Sequence, residues 1–202
     1  MDNIRRLYNE NNFRAIDINI FWACTSQDKN INLTKYISEE MIEKKQVKQY
    51  PNKIYCAVSH AKIWERLLSK KYDYGIIMED DIRVNDNFIT DVYGILNEIN
   101  DFDICFLFHH PHFKRKTDNS NKYIYLVEGC SIYGNLCYIL SKKGAKKLLK
   151  SLPFTDNKDI HINTLVEHKK LKSYITKKDL IQNLGATDAR DKDSKLGSTI
   201  FI

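Results

Sequence analysis

A chain of 202 residues that is 43% apolar and 29% charged has the composition of a soluble globular protein and the length of one domain. It is therefore read as a single domain over residues 1–202, and neither a disordered chain nor a membrane protein is expected. The formal charge of +6 is spread along the chain without the basic and aromatic arrangement of a nucleic-acid module, so nucleic acid is not the expected partner.

The opening MDNIRRLYNENN suits a short amphipathic helix with Ile4, Leu7 and Tyr8 inward. AIDINIFWAC, residues 15–24, then reads as a buried strand. No apolar leader core is present, and the longest apolar runs, about five residues, fall far short of the roughly 18 that span a membrane. From Leu33 to Lys45 the pattern is helical. PNKIYCAVSHAKIWERLLSKK, residues 51–71, is the strongest helix: Ala57, Ala61, Trp64 and Leu68 recur every three or four positions and Asn52 is placed to cap it.

YGIIM, residues 74–78, reads as a short buried strand, Asn87 to Ile99 as a helix and DICFLF, residues 103–108, as a second buried strand beside the first. HHPHFKRKTDNSNK, residues 109–122, is a polar loop. Strands are expected at Tyr123–Val127 and Leu136–Leu140, then a basic helix capped by Ser141 with Ala145, Leu148, Leu149 and Leu152 inward. A helix over Ile160–Lys169, a strand at Ser173–Thr176 and an irregular stretch from Lys177 complete the chain. Alternating strands and helices imply an α/β fold with a mostly parallel central sheet flanked by helices, in which ligands bind beyond the carboxyl ends of strands.

Five cysteines, at 24, 56, 105, 130 and 137, form an odd set without a C-x-x-C pair and lie mostly in apolar segments. They read as buried thiols of a reducing, cytoplasmic compartment, with no disulfide frame or zinc site.

The strand at 74–78 runs into three carboxylates, Glu79, Asp80 and Asp81. Adjacent carboxylates repel, and each loses hydration if covered. If the strand persists, Glu79 and Asp81 project together and Asp80 faces away. Such a pair can hold a hard divalent cation, Mg or Mn, although an acidic turn after a strand gives the same pattern.

YCAVSHAKIW (55–64), YGIIMEDDI (74–82), GNLCYILSKKGAKKLL (134–149), a D-x-x-I at Asp159–Ile162 and the terminal GSTI (197–200) occur in the order of the motifs of glycosyltransferase family 25. The chain resembles this family, which includes bacterial lipooligosaccharide galactosyltransferases and procollagen galactosyltransferases. The resemblance implies a GT-A-like, nucleotide-sugar-binding α/β domain. It would transfer galactose or a related sugar from a UDP-sugar to a saccharide or hydroxylated, collagen-like protein acceptor, with a divalent metal (Mn or Mg) and inversion at the anomeric carbon.

Carried over residue by residue, metal and diphosphate binding fall to Asp81 first and Glu79 second, with Asp80 as a nucleotide contact. The base that an inverting transfer needs falls to Asp159, with Asp156 as runner-up; a helix cap is the plain alternative for such an Asp. Nothing ahead of MDNIRR matches the family's usual V-I-N-L opening strand, and Tyr55 precedes Cys56 where a Gly is usual. The reading therefore allows for a domain without that first strand, and keeps a noncatalytic carbohydrate- or partner-binding protein as its rival.

Ser59 and His60 are adjacent on one helix and diverge, so they make no hydrolytic dyad; His60 reads as a hydrogen-bonded core residue. His109, His110 and His112 read as a polar loop, and Gly129 and Gly134 as turn residues at a strand entry.

Overall fold

The computed structural model describes residues 19–43, 46–108, 121–127, 132 and 134–184. Its elements are α1 (Glu39–Glu43), α2 (Gln46–Gln49), α3 (Pro51–Ser69), β1 (Tyr74–Met78), β2 (Ile82–Val84), α4 (Phe88–Glu98), β3 (Ile104–Phe106), β4 (Ile124–Val127), β5 (Cys137–Ser141), α5 (Lys142–Lys150), α6 (Lys158–Glu167), β6 (Ser173–Thr176) and β7 (Ile181–Asn183). The α/β class holds, and the arrangement is consistent with a GT-A-like architecture.

The central sheet has the order β1-β5-β3-β6-β4, and β2 and β7 form a separate antiparallel pair. Only β3 and β6 run parallel; β1 with β5, β5 with β3, and β6 with β4 are antiparallel. The expected mostly parallel sheet is thus mostly antiparallel. β1 and β3 are both strands of it, but they are not neighbours: β5 lies between them and β1 is an edge strand. A continuous apolar run reports that both faces of a strand are covered, and it does not report direction.

Both faces are covered here because successive side chains alternate. On one face Ile77, Ile104, Phe106, Tyr138 and Leu140 pack with Ala57, Ala61 and Trp64 of α3, Leu148 of α5 and Val166 of α6. On the other, Met78, Cys105, Cys137 and Ile139 pack with Phe88, Val92 and Ile95 of α4. β5, buried at Cys137, Tyr138, Ile139 and Leu140, carries both cores.

Helix boundaries follow local chemistry. α3 begins at Pro51, and its flanking residue Tyr50 supplies no side-chain cap, so Asn52 is not the cap expected; Pro suits a first-turn position because its missing N–H would have had no partner there. Ser141 does cap α5, accepting from the Gly144 amide. The expected helix over 33–45 is a 3-10 turn at Leu33–Lys35 followed by α1, with a parallel bridge from Ile37 to Phe154 between them. Residues 19–24 form no regular strand, whereas β7 forms within the stretch read as irregular. Residues 1–18 and 109–120, Gly129, Cys130 and the GSTI segment lie outside the described residues.

Cys24, Cys56, Cys105 and Cys137 are in no disulfide. Burial pushes the Cys105 and Cys137 thiols up. No helix among the described residues is long and apolar enough to cross a membrane.

α5 lies close to the start of β3 because residue 144 has no side chain. A Cβ at Gly144 would overlap the Asp103 carbonyl, which already accepts from the Ser141 amide at 3.1 Å. Backbone cannot yield as a flexible side chain does, so Gly144→Ala should cost about 2 kcal/mol. Urea unfolding of the variant beside the wild type measures this, and an unchanged midpoint would contradict the close packing.

Candidate functional site

The site is built where α3, the end of β1, the entry to β5 and the start of α6 converge. β1 ends at Met78, but one more ladder bond holds the next residue: the Glu79 amide donates to the Leu136 carbonyl at 2.8 Å. This keeps the Glu79 side chain on the α3 face, in parity with Ile77.

There it meets two cationic or proton-bearing groups. Lys158 Nζ donates to Glu79 Oε1 at 2.6 Å and to the Asn135 carbonyl at 3.1 Å. The same ammonium lies 3.3 Å from Asp159 Oδ1 and 3.2 Å from His60 Nε2. His60 Nε2 is 3.3 Å from Glu79 Oε1, and its Nδ1 is 2.7 Å from the Tyr138 hydroxyl. That hydroxyl accepts from the Trp64 indole N–H at 3.0 Å.

An indole N–H can only donate, so the Tyr138 oxygen accepts from Trp64. The direction of the other links follows the His60 tautomer: with the proton on Nε2 the ring donates to Glu79 and accepts from Tyr138, and with it on Nδ1 the ring donates to Tyr138 and accepts from Lys158. Burial, and after it the Lys158 charge, lower the His60 pKa from 6.5 to about 4, so the ring is neutral at pH 7. Burial works against the charge on Glu79, but Lys158 and His60 outweigh it and bring the carboxyl to about 2. Burial likewise opposes the charge on Lys158, while Asp159 and Glu79 raise its pKa well above the ordinary lysine value. The pair is ionic, and both side-chain bonds to the carboxylate fall on Oε1.

The three adjacent carboxylates therefore have different surroundings. Glu79 is paired inward, Asp80 is buried with a partner of its own, and Asp81 is half-buried with Oδ1 covered and without a hydrogen bond among the described residues. Burial first, and then the Glu79 charge, raise the Asp81 pKa.

Asp159 is brought to the same ammonium as Glu79 and stands in the first turn of α6, where a carboxylate also suits the helix dipole. It is not the cap: Asn157 accepts from the Ile160 amide at 3.0 Å. Asp156 is exposed and accepts from the Asn157 amide at 2.7 Å, away from the cluster. Ser59 is committed elsewhere, accepting from the Cys24 amide at 2.8 Å and donating to the Tyr55 carbonyl at 2.7 Å, so no Ser–His dyad forms. Gly134 has φ of 77°, a turn conformation that favours glycine.

Lys158 and Asn135 escaped the sequence reading. Asn135 is fully buried, and among the described residues both atoms of its side-chain amide lack a partner. Its place in the GNLC stretch beside a strand entry was the one available signal.

The chain is similar to known proteins over this region. A family described as "Glycosyltransferase family 25 (LPS biosynthesis protein)" matches residues 2–166. A "Glycosyltransferase 25 family member" of Anopheles gambiae is 33% identical over 109 residues, half of this chain and 18% of that protein. "Procollagen galactosyltransferase 1" of Danio rerio is 27% identical over 103 residues, 48% of this chain and 17% of that protein. "Probable inactive glycosyltransferase 25 family member 3" of Rattus norvegicus is 31% identical over 109 residues, 48% of this chain and 18% of that protein. The matched stretch thus spans less than a fifth of each of these relatives.

The buried neutral imidazole makes stability acid-sensitive. A histidine whose pKa falls on folding contributes stability that is present above 6.5 and is lost as pH falls toward about 4. Between pH 7.5 and 5 this loss should reach about 2 kcal/mol, and Glu79 adds its own loss only at lower pH, toward about 2. Burial lowers His161 as well, so the comparison is wild type against His60→Gln. Urea unfolding across that range should show a shallower fall in the variant, and equal slopes would remove His60 as the cause.

Proposed function

The chain belongs to glycosyltransferase family 25, and we propose that it is an active transferase moving galactose from a UDP-sugar to a hydroxyl of a saccharide or hydroxylated protein acceptor. The observation that carries the reading is Asp81 Oδ1, a covered carboxylate oxygen without a hydrogen bond, next to Glu79. A carboxylate whose pKa is raised by burial and by a like charge is stabilised when a cation arrives.

Asp81, with Glu79 through Oε2, would hold the divalent cation, and their oxygen-only donors suit Mn or Mg. The cation would supply charge neutralisation for the departing diphosphate. Asp80, buried at the same bend, is the candidate nucleotide contact. Lys158 fixes Glu79 and Asp159 around one ammonium. Asp159 is the candidate base: it takes the acceptor hydroxyl proton as that oxygen bonds to the anomeric carbon and the bond to UDP breaks with inversion. Asp156, bonded to the Asn157 amide and solvent-exposed, supports this role less well.

A noncatalytic role is the second reading. It draws support from the rat relative named as probably inactive and from Lys158, which already satisfies one oxygen of Glu79.

Incubation with Mn and each common UDP-sugar, followed by assay of released UDP, tests the transferase reading. Asp81→Asn should weaken Mn-dependent UDP binding at least about tenfold, or ~1.4 kcal/mol, with stability equal or slightly higher because a covered charge is removed. Calorimetric titration of UDP with and without Mn reads the first effect. Equal metal-dependent affinity in both proteins would remove Asp81 from the site, and no UDP binding by the folded wild type would favour the noncatalytic reading.

A further inference from the structure

One contact set around Glu79 is left over by sugar transfer. Cys56 and His60 stand four residues apart on α3, so they share one helix face, and Glu79 faces them from the end of β1. The sulfur, an imidazole nitrogen and a carboxylate oxygen all lie within 4.8 Å of one another. We propose that Cys56, His60 and Glu79 form a site for a thiophilic divalent cation of the zinc class, entered in exchange for the Lys158 ammonium. This site shares Glu79 with the oxygen-only set at Asp81 but takes its other ligands from α3, and it does not depend on the chain being a transferase.

The donor set is thiolate, imidazole and carboxylate, which selects a borderline-soft cation over Mg or Mn. Bond lengths of about 2.0–2.3 Å in a tetrahedral site place ligand atoms roughly 3.3–3.8 Å apart. The three groups need to close by only about 1–1.5 Å. Three protein ligands leave a fourth position for water, the open arrangement of an accessible zinc site. Cys56 is half-buried, which gives an approach from solvent.

The groups around the site can absorb the exchange. The Cys56 thiol loses its proton to solvent as the metal–sulfur bond forms. His60 is neutral already, and the tautomer with its proton on Nδ1 leaves Nε2 free for the metal. The Tyr138 hydroxyl, 2.7 Å from Nδ1, then accepts that N–H, the outer contact that commonly fixes a metal-bound imidazole. Lys158 gives up Glu79 Oε1 and follows Asp159, which is one-third exposed at the outer edge of the cluster. The ammonium and the cation compete for one position, so Lys158 holds the affinity down.

Cobalt(II) titration of the reduced, full chain tests this. One equivalent should produce tetrahedral visible bands and a near-ultraviolet thiolate charge-transfer band, both removed by Zn2+. Cys56→Ser, a near-isosteric change, should abolish the thiolate band, and His60→Gln should weaken binding at least tenfold. Lys158→Met should tighten it at least tenfold, which damage to the fold would not produce, and Asp81→Asn, which removes no ligand, should keep the thiolate band. Absence of the band in the wild type, its survival in Cys56→Ser, or its loss in Asp81→Asn would each overturn the proposal.

Discussion

The arrangement around the site depends on a lysine ammonium held out of water. Removing such an ion from solvent costs several kcal/mol unless its protons are matched. Lys158 finds its matches on separate elements: Glu79 at the end of β1, the Asn135 carbonyl ahead of β5, and Asp159 on its own helix. The seat of α6 on the sheet is therefore set by hydrogen-bond geometry as well as by the apolar contacts of Ile162 and Val166. Loss of one partner would leave the others charged and uncompensated, which is costlier than replacing the whole set by apolar groups.

The same pair closes a polar column through the core. Trp64 donates to Tyr138, and Tyr138 and Glu79 engage the two ring nitrogens of His60. Trp64, Tyr138 and His60 are fully buried, so none can turn to water for an alternative. Glu79 is the terminus. Its Oε1 is fixed by Lys158 and His60. A carboxylate supported this way keeps its orientation before a ligand arrives, the preorganisation that a binding site needs.

Much of the fold was legible because local patterns carried it. The nineteen-residue α3, the Ser141 cap, and the strands at 74–78, 124–127, 137–141 and 173–176 followed from spacing, capping chemistry and apolar runs. Strand order did not, because β5, at Cys137–Ser141, enters between β1 and β3 from downstream of both and nothing local to either strand records it. The acidic triplet was legible as a cluster, and its division of labour was not. Lys158 was hidden by composition: in a chain with 32 Lys and Arg residues, a lysine between Asn157 and Asp159 at a helix start reads as solvated. Cys56 and His60 were judged separately, one as a buried thiol and one as a core histidine, although their spacing of four was visible. Only the approach of Glu79 makes them a set.

Three neighbouring carboxylates can coexist because they do not share one environment. Repulsion among them would be strongest if all were covered and unpaired. Lys158 neutralises Glu79, Asp80 has its own partner, and Asp81 alone remains with a covered oxygen and a pKa raised by its surroundings. Counting Glu79 and Asp159, which pair with Lys158, together with Asp81, three carboxylates stand against one ammonium, a net of two negative charges when all are ionised. A divalent cation at Asp81 would balance that sum without displacing the ammonium, whereas one at Cys56 and His60 would have to displace it. Charge balance would thus separate the two proposed positions, hard and soft, around one shared carboxylate, with Lys158 as the group that decides between them.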